Sequence, residues 1–167
     1  MTCSLICIRP DHLWNKLGTR LQMLFLSIHP HFVDKILAGE KTIELRRQRP
    51  RSVVGDWIAV YATTPDRCLR GIVQVKDVRV GDVREIWCQA RTQAGVTKQE
   101  YESYFYGAEK AVGIVLKNPI SLEIPMPLDQ LRETWPNFQP PQGFRYLNNE
   151  QVRFVKSLSF RGRNEAA

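Results

Sequence analysis

The sequence has few cysteines, and their placement excludes the common structural metal sites. Its four cysteines are Cys3, Cys7, Cys68 and Cys88. They include no Cys-x-x-Cys pair, and no second pair of Cys or His follows at zinc-finger spacing. We therefore expect no metal site and no cofactor. The thiols are expected to fill the core of a protein from a reducing compartment.

Long hydrophobic runs are also lacking. No stretch approaches the roughly 20 apolar residues that span a bilayer. The apolar run from Ser4 to Ile8 is too short for the core of a secretory signal, and no basic segment precedes it. There is no internal repeat and no low-complexity segment. These absences predict a cytoplasmic protein with no membrane partner.

The composition is that of one ordinary folded domain with an excess of positive charge. The chain has 167 residues, 43% of them hydrophobic and 25% charged, which excludes general disorder. We expect a monomer, although the sequence does not determine the oligomeric state. The 24 Lys and Arg exceed the 17 Asp and Glu by seven, so the formal net charge is +7. This balance favours phosphate-bearing partners without identifying one.

Apolar spacing predicts short strands and helices from Leu24 onward. The expected strands are 24–28, 41–47, 57–62, 69–80, 111–117 and a last short strand that Pro119, Pro125 and Pro127 bound. Helices are expected after Pro30, twice within 81–106, over 128–134 and over 150–158. Gly39 takes the C′ position that ends the first helix, and Thr97-x-x-Glu100 is a capping-box pattern. The pattern predicts an α+β fold, a small and partly open β-barrel with a plugging helix after the first strand and peripheral helices.

Three segments differ in character. Residues 1–22 are interpreted either as an extension or as a packed N-terminal helix. The folded domain is expected over 23–147. Residues 148–167 are expected to form a basic C-terminal helix or tail.

The densest group of charged residues lies where the first helix passes to the second strand. Lys41, Glu44 and Arg46 either form an exposed ion pair beside a solvated lysine or line a cleft that holds a polar ligand. In a regular strand the Lys41 side chain would point to the face opposite Glu44 and Arg46, so a turn or bulge is required to place all three on one face. The basic loop that follows supplies candidate phosphate contacts, namely Arg47, Arg49 and Arg51, although it is equally typical of a solvated loop.

These residues resemble the ASCH family, the activating-signal-cointegrator homology domain. Its hallmark Gly-x-Lys-x-x-Glu-x-Arg is matched by Gly39, Lys41, Glu44 and Arg46. Further matches follow in order over about 24–147: Ser27–Pro30, Val60–Pro65, Gly71–Val73, Tyr104–Gly107 and Pro140–Tyr146.

The resemblance implies a PUA-like β-barrel, mixed or antiparallel, that binds RNA or a nucleotide-like ligand in a cleft beside the first helix. It also implies a role in transcription-related regulation or RNA metabolism. The candidate ligand-binding residues are Ser27, Lys41, Thr42, Glu44, Arg46, Tyr61, Arg145 and Tyr146. Tyr61 and Tyr146 are the favoured stacking residues, because each is beside a turn and has a hydroxyl group to place.

An enzyme is the alternative, either an amidohydrolase of the N4-acetylcytidine type or a ribonuclease that uses the same cleft. In that case Lys41 and Glu44 would be the catalytic residues, although Glu44 would stabilise the charged lysine and so oppose its use as a base. The amidohydrolases of the family have Thr where this chain has Glu44, and their catalytic Glu falls near Gln93 or Ala94, neither of which is acidic. A protein-docking module with an empty cleft is a third possibility.

Overall fold

A computed structural model describes residues 22–52 and 54–161, and six strands in this part of the chain form one curled, mixed sheet. The strands are β1 Met23–Ile28, β2 Ile43–Arg46, β3 Trp57–Ala62, β4 Cys68–Asp82, β5 Lys110–Pro127 and β6 Phe144–Tyr146. Their order across the sheet is β2-β5-β4-β3-β1-β6. Neighbours are antiparallel except β1 and β3, which are parallel.

Five helices accompany the sheet within the described residues: α1 Pro30–Leu37, α2 Val83–Ala90, α3 Lys98–Tyr104, α4 Leu128–Thr134 and α5 Asn149–Arg161. The predicted α+β half-barrel is therefore confirmed. None of the helices in the described part of the chain is long and apolar enough to cross a membrane.

The central strands are apolar on both faces because both faces of the sheet are covered. In β1, Met23 and Phe25 belong to one core cluster, while Leu24, Leu26 and Ile28 belong to a second cluster on the opposite face. β3 alternates in the same way. Successive side chains in a strand point to opposite faces, so an uninterrupted apolar run fills two cores at once.

Helix α1 covers the second cluster and begins and ends as its sequence predicts. Pro30 occupies the first turn, and Val33 and Ile36 are buried among residues of β1, β3 and β5. Gly39 has φ of +78°, the left-handed conformation expected of a C′ glycine. Burying two such aliphatic side chains contributes about 1.5–3 kcal/mol each, which holds the helix against the sheet.

The separate last strand expected before α4 does not exist, because β5 continues unbroken from Lys110 to Pro127. The four residues of β2 pair only with Val112–Val115 on one side of β5. Beyond that point β4 is the only described strand that pairs with β5, so Pro119 lies on an edge where a missing N–H is tolerated. The prolines therefore do not end the strand.

The expected core role of the cysteines is confirmed for Cys68, which is buried, and is wrong for Cys88, which is exposed on α2. Cys3, Cys7 and the remainder of 1–21 lie outside the described residues, as does the choice between an extension and a packed helix there. The terminal helix is α5, and its Val152 and Val155 pack in the first core cluster.

Candidate functional site

A cleft of about 370 Å³ opens where β1 ends, between α1, β2 and α3. Lys41, Glu44 and Arg46 lie along it, together with Ser27 at the end of β1. Phe32, Tyr101 and Tyr104 add aromatic surface, and Gln142 comes from the loop before β6. Four distant parts of the chain thus meet around one group of charges.

The carboxylate of Glu44 lies between two cations. Its Oε1 is 2.8 Å from Nη2 of Arg46, and its Oε2 is 3.3 Å from Nζ of Lys41. All three residues are at most 8% exposed, so the interpretation of an exposed ion pair beside a solvated lysine is wrong. Two cations and one carboxylate leave a net positive charge, and the low local dielectric strengthens its attraction for an anionic group.

A turn brings Lys41 to the cleft, as the strand parity requires. The N–H groups of Glu40 and Lys41 both donate to the carbonyl of Lys35 at 2.9 Å, which winds the chain back after α1. Thr42 and Ile43 then donate to the carbonyl of Gln93 at 2.9 and 3.1 Å. Lys41 therefore precedes β2, and its direction is set by the turn rather than by strand alternation.

The loop between α2 and α3 holds the lysine side chain in place. The Lys41 ammonium donates to the carbonyl of Ala94, and Lys35 Nζ donates to the carbonyl of Gly95 at 3.2 Å. Lys41 Nζ also lies 5.2 Å from the centroid of the Phe32 ring, a cation–π contact. The loop that fixes Lys41 leads directly into α3, so the lysine and the far wall of the cleft are positioned together.

Burial is the main influence on the acidity of Lys41. Removal from water lowers the pKa of the Lys41 ammonium from its usual 10.5, and Arg46 and Lys35 act in the same direction. Glu44 opposes this shift through its charge and its hydrogen bond, but burial outweighs it. Lys41 is therefore easier to deprotonate than a surface lysine.

Arg46 is fixed by backbone carbonyls from two other elements. Its Nη2 donates to the carbonyl of Ser27 at 3.1 Å, and its Nη1 donates to the carbonyl of Gly143 at 3.4 Å. Its buried Nε and the buried hydroxyl of Ser27 have no hydrogen-bond partner among the described residues. Buried polar atoms are seldom left unpaired, so these two are candidates for pairing with a ligand or water.

Helix α3 forms the opposite wall and begins with the predicted capping box. Thr97 Oγ1 accepts from the Glu100 N–H at 3.2 Å, and the Glu100 carboxylate accepts from the Thr97 N–H at 2.7 Å. The hydrogen bonds that the N–H and the hydroxyl of Thr97 donate to the Glu100 carboxylate lower the pKa of Glu100. Tyr101 donates its hydroxyl to the carbonyl of Val83 at 2.8 Å, and burial raises its pKa to about 12. The cap and this bond fix the helix that presents Tyr104.

Two expected ligand-binding residues lie away from the cleft. Thr42 is half-buried, and its hydroxyl donates to Oε1 of Gln93 at 3.4 Å. Tyr61 is 2% exposed in the first core cluster, where its ring centroid lies 5.5 Å from that of Phe25. Tyr61 points to the face of the sheet opposite the α1 cluster, so it presents no ring to a ligand in the cleft.

The expected residues on β6 are also placed elsewhere. The guanidinium of Arg145 stacks on Phe138 at 5.3 Å from the ring centroid. The hydroxyl of Tyr146 accepts the N–H of Arg51, which ties β6 to the basic loop. Neither side chain lines the cleft. Strand alternation directs Phe144 and Tyr146 to the α1 cluster and turns Arg145 to the opposite face of the sheet.

The basic loop begins directly after Arg46. Arg47, Arg49 and Arg51 are all exposed. Nη2 of Arg47 donates to the carbonyl of Tyr106 at 3.0 Å, so this one arginine is tied to the segment after α3.

Nine residues that line the cleft are not among the site residues predicted from the sequence, and they include His29, Phe32, Tyr104 and Gln142. Phe32 belongs to the apolar side of α1 that packs on the second core cluster, and helical spacing alone gives no sign that Lys41 would stack on it. His29 is the N-cap of α1, a position that marks the start of a helix and gives no sign of a cleft. Gln142 lies within a segment that resembles the family, which is the one signal that could have singled it out.

Comparisons with known proteins agree with the resemblance found in the sequence. The family model of the ASCH domain matches residues 26–126. A protein named ASCH domain-containing ribonuclease, from Zymomonas mobilis subsp. mobilis, is 35% identical over 134 residues, which cover 80% of this chain and 90% of the relative.

Solved structures support the same assignment. The crystal structure of ASCH from Zymomonas mobilis has a TM-score of 0.76 and 35% identity, covering 82% of this chain and 95% of that one. The human THYN1 protein, crystallised in complex with DNA containing 5-methylcytosine, has a TM-score of 0.53 at 11% identity, covering 84% of this chain and 98% of that one. The second likeness is one of fold alone. With its motif residues gathered around one cleft and a family model matched over more than half its length, this chain belongs to the ASCH domain family.

Proposed function

We propose that this protein binds single-stranded RNA, with one nucleotide held in the cleft around Lys41, Glu44 and Arg46. The observation that carries the proposal is the buried group of two cations and one carboxylate. A carboxylate accepts hydrogen bonds from the amino and imino groups of a base, while the two cations suit phosphate or a base carbonyl. The aromatic rings of Phe32 and Tyr104 give the base apolar surface to contact.

Charge around the cleft supports RNA over an uncharged ligand. The chain carries a net charge of +7, and three arginines of the basic loop follow directly on Arg46. Cations beside a base-sized cleft are typical of proteins that follow a nucleic-acid backbone while holding a base. Such binding would serve either RNA metabolism or transcription-related regulation.

Fluorescence anisotropy with a labelled single-stranded RNA tests the binding. We expect Arg46→Ala to weaken binding by about tenfold or more, since a hydrogen-bonded ionic contact is worth about 1.5–3 kcal/mol. Arg153→Ala is the control, because Arg153 is exposed on α5 and outside the cleft. Equal affinity of the folded wild type and of folded Arg46→Ala would exclude the cleft as the binding site.

A ribonuclease is the second candidate function. It is favoured by the relative named a ribonuclease, which is 35% identical to this chain in an alignment that covers 90% of the relative. Cleavage would require a base to take the proton of the 2′-hydroxyl, whose oxygen then attacks the adjacent phosphorus. The bond to the 5′-oxygen breaks, and that oxygen takes a proton from the Lys41 ammonium or from water. Glu44 is the candidate base, and Arg46 and Lys41 are candidates to stabilise the added negative charge. Their separations of 2.8 and 3.3 Å support this assignment, because groups so close together can contact the same phosphate.

End-labelled RNA incubated with purified protein tests this candidate. We expect cleavage products ending in a 2′,3′-cyclic phosphate, loss of cleavage when the 2′-hydroxyls are methylated, and loss of cleavage in folded Glu44→Gln at RNA concentrations that saturate the variant. Cleavage that persists unchanged in Glu44→Gln would point to a contaminating nuclease or to another base. Intact RNA after prolonged incubation with folded wild type would leave binding as the function.

A further inference from the structure

Tyr106 is a large aromatic residue outside the cleft whose side chain lies mostly in solvent. It is 86% exposed, the most exposed large hydrophobic residue among those described. Tyr104, two positions earlier, is 45% exposed and lines the cleft. Phe105 between them is buried at 2% exposure in the core cluster beneath α3. The buried phenylalanine therefore anchors a short segment that presents two tyrosines to solvent.

Ring packing and backbone hydrogen bonds hold the segment that carries Tyr106. The Tyr104 and Phe105 rings pack edge to face with centroids 4.8 Å apart. The Phe105 and Ala108 N–H groups donate to the carbonyls of Tyr101 and Phe105 at 3.0 and 2.9 Å. An aromatic ring on a fixed backbone loses little conformational entropy when a flat ligand stacks on it.

The sheet register brings a guanidinium to the backbone carbonyl of this tyrosine. Arg46, the last residue of β2, pairs with Val112 of antiparallel β5, so the chain leaving β2 runs beside the segment that enters β5. Arg47 consequently reaches the Tyr106 carbonyl at 3.0 Å. We call Arg47 and Tyr106 the outer site. Both of its residues lie close in sequence to residues that line the cleft, since Arg47 directly follows Arg46 and Tyr106 comes two positions after Tyr104.

We infer that the outer site binds a second nucleotide, next to the one in the cleft, with its base stacked on Tyr106 and its phosphate paired with Arg47. An exposed aromatic ring beside an arginine is the combination that single-stranded nucleic-acid sites use, since every base has a stacking face. This inference rests on the proposed function and narrows it. The ligand is then an oligonucleotide of at least two residues, and a free nucleoside or mononucleotide fills only the cleft.

The test compares two probes on each variant. Anisotropy gives the affinity for a labelled single-stranded RNA of about eight nucleotides, and calorimetry gives the affinity for cytidine and uridine monophosphates. We expect Tyr106→Ala to weaken binding of the oligonucleotide roughly 5- to 100-fold, the range for losing one stacked base. Its affinity for the mononucleotides should stay within about twofold. Tyr106→Trp should retain oligonucleotide affinity and give tryptophan quenching on binding.

Ile124→Ala is the matched control, because Ile124 is 79% exposed on β5 and outside the cleft. Unchanged oligonucleotide affinity in Tyr106→Ala, or an equal loss for mononucleotides, overturns the outer site while RNA binding by the wild type stands. Failure of the wild type to bind the oligonucleotide at all overturns the proposed function and the outer site together. The two failures are therefore distinguishable from wild-type data alone.

Discussion

The ammonium of Lys41 lies 3.3 Å from the carboxylate of Glu44, although Lys41 precedes β2 and Glu44 lies within it. A strand would have turned these two side chains, three residues apart, to opposite faces. The contact exists because the carbonyls of Lys35 and Gln93 bend the chain before β2 begins. Since Glu44 also contacts Arg46 at 2.8 Å, one buried carboxylate offsets two buried cations.

We expect Glu44→Gln to destabilise the protein by about 3 kcal/mol or more, because it leaves two buried cations without a counter-charge. The loss should be smaller in a Lys41→Met background, where only one cation remains. Urea denaturation of the four proteins of this cycle measures the coupling. Asp129→Asn is the control, since Asp129 forms an exposed pair with Arg132 at 3.6 Å, and its change should stay below about 1 kcal/mol. Additive losses would mean that Lys41 and Glu44 do not interact.

The lowered pKa of Lys41 predicts a particular dependence of stability on pH. Burial depresses the folded-state pKa below 10.5, so the unfolded chain binds more protons in the interval between the two values. The charged lysine therefore weakens the fold below its folded-state pKa, and this penalty is relieved as the pH rises toward 10.5. We expect the unfolding free energy of the wild type to rise relative to that of Lys41→Met over this interval. Parallel curves for the two proteins would contradict the shift.

The local features around the cleft could be predicted from the sequence, and the features that assemble it could not. Pro30, Gly39 and Thr97 mark the ends of α1 and the start of α3 because each acts on its own backbone neighbours. Lys41 instead depends on the carbonyls of Gln93 and Ala94, more than 50 positions away. Residue spacing along the sequence cannot predict a contact between segments so far apart.

Tyr61 and β5 were also mispredicted from local sequence, because their surroundings depend on how the whole sheet assembles. Tyr61 sits beside a turn, which suggested an accessible ring, but the alternation of a strand covered on both faces buries it at 2% exposure. In β5, Pro119 suggested a break, but β2 is too short to pair along the whole strand. Both outcomes depend on which elements lie on each side, which only the assembled sheet determines.

Gly71 on β4 should tolerate no side chain. A Cβ there would meet the carbonyl oxygen of Ile120 on β5, and it would lie 2.8 Å from Cδ2 of Leu37. We expect Gly71→Ala to cost about 1–3 kcal/mol of unfolding free energy, since the clash involves a backbone atom that cannot move freely. Gly143→Ala is the control, because a Cβ at Gly143 meets nothing within 4 Å. Equal midpoints in thermal or urea denaturation would contradict the close approach of β4 and β5.

The basic loop is expected to set the salt dependence of RNA binding. Each phosphate contact to a single strand contributes a slope of about 0.7 in a plot of log affinity against log salt concentration. Replacing Arg47, Arg49 and Arg51 by alanine should therefore reduce the slope by about 2 units. The control replaces Lys76, Arg84 and Arg153, which are exposed and outside the cleft, and removes the same charge. An identical reduction in both triple variants would show that only net charge matters.

Substitution of Ser27 should weaken RNA binding without lowering the stability of the protein. Its hydroxyl is buried beside the cleft with no hydrogen-bond partner among the described residues, and its carbonyl, which a substitution keeps, holds Arg46. Ser27→Ala removes a buried polar atom that gains nothing in the free protein, so stability should be unchanged or raised by up to about 1 kcal/mol. If a bound nucleotide pairs with this hydroxyl, the same substitution weakens RNA binding by about five- to tenfold. Loss of stability would show that Ser27 has a partner in the folded protein, and unchanged affinity would place the base elsewhere in the cleft.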